Sequence, residues 1–137
     1  MNMANVFPPY KLDIAGAFCV PSALKKAREQ YQNEQINRHT LQQIEDTEIR
    51  ELVDRLKASD MRVVSDGGFR SRDFLESWEG IRTKDHKLFT EGSALEITDR
   101  INLLQHPILE EFTFLVSVAG TDVMSKQHIP SPAEVMT

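Results

Sequence analysis

Two short apolar stretches decide the fold of this 137-residue chain: DIAGAFCVP at residues 13–21 and RVVSDGGFR at residues 62–70. Each runs through a few apolar residues, ends in small or polar ones, and leads into a segment with helical spacing. Strand ends of this kind carry the active sites of (β/α)8 barrels, but a closed barrel takes about 250 residues. We therefore expect the chain to hold the opening strands of such an enzyme and to lack the remainder.

The composition is that of an ordinary globular domain, with 40% hydrophobic and 27% charged residues. A net charge of −5 argues against a nucleic-acid or anionic-membrane partner. The single cysteine, Cys19, excludes an internal disulfide, and no transmembrane run or signal peptide is evident, so a cytoplasmic protein is expected. Residues 1–10 are expected to form an extended lead-in, and residues 11–137 one domain.

Two helices should separate the two strands. The first is expected to start at Pro21-Ser22 and to stop near Asn33. For the second, Thr40 with Gln43 has capping-box spacing, although Asn37 could also be the cap. Its apolar face is predicted to consist of Leu41, Ile44, Ile49, Leu52, Val53 and Leu56.

The second half of the chain mixes signals. Phe74, Trp78 and Ile81 recur at helical spacing and predict a short helix, and residues 83–92 are expected to form a loop. Partial alternation over residues 94–104 and a β-prone run over 112–118 favour a hairpin or two sheet strands. Residues 120–127 are expected to form a turn, followed by an extended, proline-rich tail.

The turn after the second strand is the candidate site. Asp66-Gly67-Gly68 could be a catalytic turn or merely a tight connection, and Arg70 and Arg72 could bind an anion or be surface charges. The histidines are scattered and Cys19 has no ligand nearby, so a zinc site is not expected, and Cys19 is expected to be buried and structural. The four histidines are His39, His86, His106 and His128.

Several motifs in a fixed order carry a family resemblance over residues 11–132. Their order resembles the cobalamin-independent methionine synthase family, most closely its short, single-barrel bacterial members. The motifs are Asp13, Gly16-Ala17-Phe18, Pro21, Leu24-Lys25, Ala27-Arg28-Glu29, Glu45-Asp46, Ile49, Val64-Ser65-Asp66-Gly67, Phe69-Arg70 and Ile129-Pro130-Ser131-Pro132.

The resemblance implies a (β/α)8 barrel that transfers a methyl group from a folate donor to the thiol of homocysteine. In that family a zinc ion on His, Cys and Glu ligands lowers the pKa of the thiol. The resemblance also implies that these ligands lie in later strands, so no cofactor is expected in this chain. The implied substrate-binding positions, in degenerate form, are Ala17, Asp66, Gly68 and Arg70.

Three positions depart from the family pattern. Val20 stands where the family often has an arginine before the proline. Ala17 stands where the family has a serine that helps to bind the amino-acid substrate, and Gly68 stands where a glutamate holds its amino group. A carboxylate–ammonium hydrogen bond contributes about 1.5–3 kcal/mol. The resemblance therefore predicts a catalytically inactive, truncated relative with no catalytic residues of its own.

The expected fold is an α/β fragment of a barrel, with two or three barrel strands, helices and a β-hairpin. An alternative is a compact α+β unit in which residues 94–118 complete a small sheet. Two further functions stay open: one half of a split methyltransferase, or a module that binds a small molecule or a protein. Because a partial barrel leaves an open sheet edge, a homo-oligomer or a complementary barrel chain is the expected partner.

Overall fold

The computed structural model describes residues 12–70, 78–83, 95–103 and 107–129, which contain three helices, one parallel pair of short strands and one antiparallel pair. The chain falls into two units, divided between Phe69 and Arg70 and again between Thr113 and Phe114. The elements in chain order are α1 (Ser22–Gln32), α2 (Arg38–Ala58), β1 (Val63–Val64), β2 (Trp78–Thr83), β3 (Leu95–Leu103), α3 (Pro107–Ala119) and β4 (Met124–Ser125).

Both predicted helices of the first unit are confirmed. Asn33 ends α1, where its N–H donates to the Glu29 carbonyl. Of the two candidate caps for α2, the structure selects Asn37, whose side chain accepts a hydrogen bond from the Thr40 N–H at 2.8 Å. Arg55 and Lys57 lie in the last turn of α2, where cations interact favourably with the helix dipole.

The core of the first unit lies between these helices and the strand pair. Phe69 is 2% exposed, and the predicted apolar face of α2 is buried except for the half-buried Ile44. Residues on α3 complete the core, so sequentially distant segments share one apolar cluster. The buried cluster comprises Ile14, Leu24, Ala27, Leu41, Ile49, Leu52, Val53, Leu56, Val64, Phe69, Leu115, Ala119 and Val123.

The strands β1 and β4 pair in parallel, with Val63 opposite Met124 and Val64 opposite Ser125. The predicted strand at 62–65 is therefore confirmed in its central residues. Two other predictions for this unit are wrong. Residues 12–18 form no strand, and the predicted turn at 120–127 contains β4.

The second unit contains an antiparallel pair, β2 with β3, in which Trp78 lies opposite Leu103 and Thr83 opposite Leu95. The register shifts between Glu79 and Ile81, where Gly80 has a φ of +83° and approaches the carbonyl oxygens of the facing strand. The strand predicted over 94–104 is confirmed. The helix predicted from Phe74, Trp78 and Ile81 is wrong, because strand pairing prevails over helical spacing at 78–83; residues 71–77 and 84–94 lie outside the described residues.

The strand predicted over residues 112–118 is also wrong, since these residues belong to α3. Leu115 and Ala119 are fully buried, and Phe114 and Val118 are half-buried beside them. These positions share one helical face, so burial of that face prevails over the β propensity of phenylalanine and valine. The compact α+β alternative places residues 94–118 in a small sheet. Of these, residues 95–103 form the strand β3, and residues 107–118 belong to α3.

No helix in the described ranges has the length and apolar character needed to cross a membrane. The cytoplasmic location stays a prediction.

Candidate functional site

The turn that follows β1 is held by its own side chains. Asp66 is 4% exposed, and its Oδ1 accepts a hydrogen bond from the Gly68 N–H at 2.9 Å. Its carbonyl oxygen accepts from the Phe69 N–H at 3.3 Å. Fully buried Ser65 adds a second bond, because its Oγ accepts from the Gly67 N–H at 3.2 Å. Asp66 is therefore engaged in shaping the turn.

Both glycines of this turn have a φ of +71°, in the left-handed region that favours glycine. A Cβ on Gly67 would lie 2.5 Å from Leu52 Cδ2 on α2. The double glycine thus lets the backbone turn tightly against the helix that covers it. Because Gly68 shares this conformation, any side chain at that position would meet a strained backbone.

Gln127, two residues beyond the end of β4, reaches the same turn. Parallel strands bring their carboxyl ends to one edge of a sheet, which places Gln127 beside Asp66. The Nε2 of Gln127 donates to Asp66 Oδ2 at 3.5 Å, a long and therefore weak bond. Its Oε1 is buried and has no hydrogen-bond partner among the described residues. The carboxylate is thus oriented from both strands.

The segment that contains Ala17 also meets this turn. The Phe18 N–H donates to the Gly67 carbonyl oxygen at 3.0 Å. Ala17 itself is exposed, and a Cβ built on the neighbouring Gly16 would have no heavy atom within 4 Å. The structure therefore brings the segment that contains Ala17 to the turn that contains Asp66 and Gly68, and the space beside Gly16 is open.

Lys126 ties the same segment to the end of β4. Its Nζ donates to Asp13 Oδ2 at 2.9 Å and to the Ile14 carbonyl oxygen at 2.7 Å. The hydrogen bond from Lys126 is the main reason that the pKa of Asp13 is lowered from its ordinary value. The bond from the Ile14 N–H to Asp13 Oδ1 acts in the same direction.

Arg28 contacts the turn directly, whereas Arg70 follows it. On α1, Arg28 donates from Nη2 to the Phe69 carbonyl oxygen at 2.6 Å, which fixes the far end of the turn. Arg70 begins the second unit and is 8% exposed, so the surface-charge alternative is wrong for it. Arg72 lies outside the described residues.

No group of three or more histidine, cysteine, aspartate or glutamate side chains in the described ranges is arranged to hold a metal ion. His39 and His128 are exposed, while His86 and His106 lie outside those ranges. Cys19 is an exposed free thiol, so its predicted burial is wrong.

Sequence reasoning missed the contributions of Arg28, Lys126 and Gln127 to the site. The sequence predicts a turn for the last two, since β4 is only two residues long and carries little periodic signal. The apolar pair Val123-Met124, followed by a polar run, was the available sign of a strand end.

Comparisons with known proteins agree with the family resemblance. The solved structure of a Listeria monocytogenes protein, provisionally described as a vitamin-B12 independent methionine synthase, matches 93% of this chain with a TM-score of 0.79. The two sequences are 33% identical, and the match covers 38% of the Listeria chain. The resemblance of this chain to part of such a protein is therefore confirmed in structure.

Two uncharacterized proteins of Bacillus subtilis strain 168 are similar in sequence. YxjG is 35% identical over 136 residues, which is 91% of this chain and 36% of YxjG. YxjH is 29% identical over 135 residues, which is 90% of this chain and 36% of YxjH. The chain thus spans about a third of the length of these curated relatives. No family profile matches it.

Proposed function

We infer that these 137 residues correspond to the opening part of a methionine-synthase-like barrel and do not by themselves transfer a methyl group from a folate to homocysteine. The structural match to the Listeria protein supports the first half of this proposal. The conformation and identity of Gly68 are the observation that carries the second half.

Gly68 occupies the position at which the family resemblance implies a glutamate for the substrate's amino group. Its N–H donates a hydrogen bond to Asp66 Oδ1, and its φ is +71°. A non-glycine residue in that conformation costs about 1–2 kcal/mol. The turn is thus built for glycine, and it offers no carboxylate where a homocysteine ammonium group would need one.

Ala17 supports the same conclusion from the other side of the turn. It is exposed beside the Phe18–Gly67 hydrogen bond, where the resemblance implies a serine hydroxyl. A methyl group at that position can neither donate nor accept a hydrogen bond to an amino-acid substrate. Asp66 is 4% exposed and its Oδ1 accepts a hydrogen bond from the Gly68 N–H, so it presents little carboxylate surface to a substrate.

The family's zinc does not fit the described residues. Zinc sites need three or four nitrogen, sulfur or oxygen ligands converging on one point, and no such group occurs in the described ranges. We therefore assign no step of a reaction to a metal held by this part of the chain.

An activity assay tests the proposal. The purified chain, supplied with zinc, a methyl-folate donor and homocysteine, should form no methionine above the rate without protein. An active cobalamin-independent methionine synthase assayed in parallel shows that the reagents are competent. The double variant Ala17→Ser/Gly68→Glu should also be inactive, because no group of side chains in the described ranges is arranged to hold zinc. Methionine formation by the unaltered chain would refute the proposal.

One half of a split methyltransferase is the second candidate function. The observation that favours it is the edge of β4 that faces away from β1, which no described strand pairs. This candidate predicts activity and bound zinc only after a complementary chain is added. Methyl transfer by the mixture, with neither component active alone, would distinguish it from an inactive relative.

A further inference from the structure

Residues 12–20 are attached to the rest of the first unit at a few points. They belong to no strand in the described structure, and a backbone hydrogen bond from the Phe18 N–H to the Gly67 carbonyl oxygen, at 3.0 Å, joins them to the turn after β1. Ile14 is buried, and Phe18 and Val20 are half-buried against the core, whereas residues 15–17 are exposed. A segment held in this way can open locally at a lower free energy than the paired core.

The side chain of Lys126 fastens this segment to the end of β4. Its Nζ donates to Asp13 Oδ2 at 2.9 Å and to the Ile14 carbonyl oxygen at 2.7 Å. The Ile14 N–H donates to Asp13 Oδ1 at 2.7 Å. One ammonium group therefore binds both a side chain and the main chain of the segment, next to its buried residue. The Lys126 ammonium, the Asp13 carboxylate and the Ile14 carbonyl together form a clasp.

The clasp is open to solvent, and the strand pair beside it is independent of it. The side chains of Lys126 and Asp13 are 33% and 58% exposed, and exposed ion pairs contribute little to stability. By contrast, the strands β1 and β4 are joined by backbone bonds from the Met124 and Lys126 N–H groups, both at 2.8 Å. Breaking the clasp therefore removes no bond from this ladder.

The turn after β1 also keeps its shape without the segment. The Gly67 N–H donates to Ser65 Oγ at 3.2 Å, and the Gly68 N–H donates to Asp66 Oδ1 at 2.9 Å. Neither bond involves residues 12–20. If the segment moves away, the Gly67 carbonyl oxygen loses its donor, and the internal bonds of the turn remain.

We propose that residues 12–20 form a strap, fastened by the clasp, which opens as a unit while β1 and β4 stay paired. The closed strap holds the segment that contains Ala17 against the turn through the Phe18–Gly67 bond. The open strap exposes the Gly67 carbonyl oxygen to water or to a hydrogen-bond donor on a small molecule. The strap therefore controls access to the candidate site. It operates whether or not the chain transfers a methyl group, so the two proposals can fail separately.

Hydrogen exchange with a matched pair of variants tests the proposal. Lys126→Met keeps an unbranched apolar side chain and removes both bonds that the ammonium makes in the clasp. Lys57→Met is the control, because the Lys57 side chain is 29% exposed and also bonds to one aspartate and one main-chain oxygen. These partners are Asp122 Oδ1 at 2.9 Å and the Ala119 carbonyl oxygen at 3.0 Å, neither of which belongs to the strap.

The amide of Phe18 reports on the strap, and the amide of Met124 reports on the strand pair. Lys126→Met should speed exchange at Phe18 about tenfold, since two bonds from a charged donor are lost, and should leave Met124 unchanged. Lys57→Met should keep the ratio of the two rates at its value in the unaltered chain. Equal acceleration at both amides in Lys126→Met, or no acceleration at Phe18, would overturn the proposal.

Exchange of the unaltered chain in low concentrations of urea gives a second measurement that needs no variant. Opening of the strap exposes little surface, so the exchange rate at Phe18 should depend only weakly on urea. Exchange at Met124 requires separation of the strands and should depend strongly on urea. The same dependence at both amides would mean that residues 12–20 open only when the whole unit unfolds, and there would then be no strap.

Discussion

The two apolar stretches at residues 13–21 and 62–70 look alike in sequence, but they differ in burial and in strand pairing within the first unit. Residues 63–67 and 69 are buried, whereas Ile14 is the only buried residue of 12–20. The strand β1 is paired by a backbone ladder with β4. The segment 12–20 is instead held by the Phe18–Gly67 hydrogen bond and by the side chain of Lys126.

This difference shows what an apolar run needs to become a strand. A strand is stabilised by a neighbour that satisfies its backbone groups, and β4 provides such a neighbour for β1 alone. The segment 12–20 lies next to the turn after β1 without entering a sheet in the described structure. Its place depends on a few polar contacts, so substitutions in the two stretches should differ strongly in cost.

The glycines give the largest contrast. Gly67→Ala should lower the free energy of unfolding by about 2–5 kcal/mol, because it adds about 1–2 kcal/mol of left-handed backbone strain and about 1–3 kcal/mol of overpacking against Leu52. The basis is a φ of +71° and a Cβ position 2.5 Å from Leu52 Cδ2. Urea unfolding followed by circular dichroism measures the change.

Gly16→Ala is the control from the other stretch. Its added Cβ meets no heavy atom within 4 Å and its backbone is outside the left-handed region. The change should leave stability unaltered or raise it by about 0.4–1 kcal/mol through the unfolded chain. Similar losses for both variants would contradict the contrast between the stretches.

Apolar side chains give the next largest effect. Val64→Ala removes two methyl groups from a fully buried site and should cost about 2 kcal/mol. Leu12→Ala removes a larger side chain that is 63% exposed, and it should change stability by less than about 0.5 kcal/mol. A cost for Leu12→Ala that equals the cost for Val64→Ala would show that 12–20 is buried in solution.

The helices of the first unit could be predicted because their signals are local. The cap at Asn37, the stop at Asn33 and the apolar face of α2 all lie within a few turns of the residues that they organise. The turn at Asp66-Gly67-Gly68 was likewise visible, since double glycine after an aspartate favours a tight turn. These features depend little on where the rest of the chain lies.

The other elements, and most contacts of the candidate site, depend on residues that are distant in sequence. β2 and β3 are strands because they pair with each other across a separation in sequence, and α3 is a helix because one face of it is buried. For the site, Asp66 could be named from the sequence, but its bond to Gln127 spans 61 residues. No local pattern indicates that contact, nor the reach of Arg28 to the Phe69 carbonyl oxygen.

Arg28 offers a smaller effect that sharpens the comparison at the turn itself. Arg28→Met keeps much of the aliphatic side chain but leaves the carbonyl oxygen of buried Phe69 without this donor. The expected loss of stability is about 1–2 kcal/mol, since bonds from charged donors contribute about 1.5–3 kcal/mol and Arg28 is only half-buried. Arg28→Lys keeps a cation and should lose less. Equal losses for both variants would point to the planar guanidinium geometry.

The smallest effect is expected at Asp13, in the stretch that forms no strand. Its pKa is lowered, first by the hydrogen bond from Lys126 and then by the bond from the Ile14 N–H, so the ionised carboxylate favours the folded state. That contribution is fully present above the ordinary pKa of 3.8 and is lost as the pH falls through the lowered pKa of the folded chain. Asp13→Asn should therefore be slightly less stable than the unaltered chain at neutral pH, and the difference should disappear in acid. Thermal unfolding across that pH range measures the difference in stability. A difference that persists below the lowered pKa would mean that Asp13 stabilises the fold by the packing of its side chain and not by its charge.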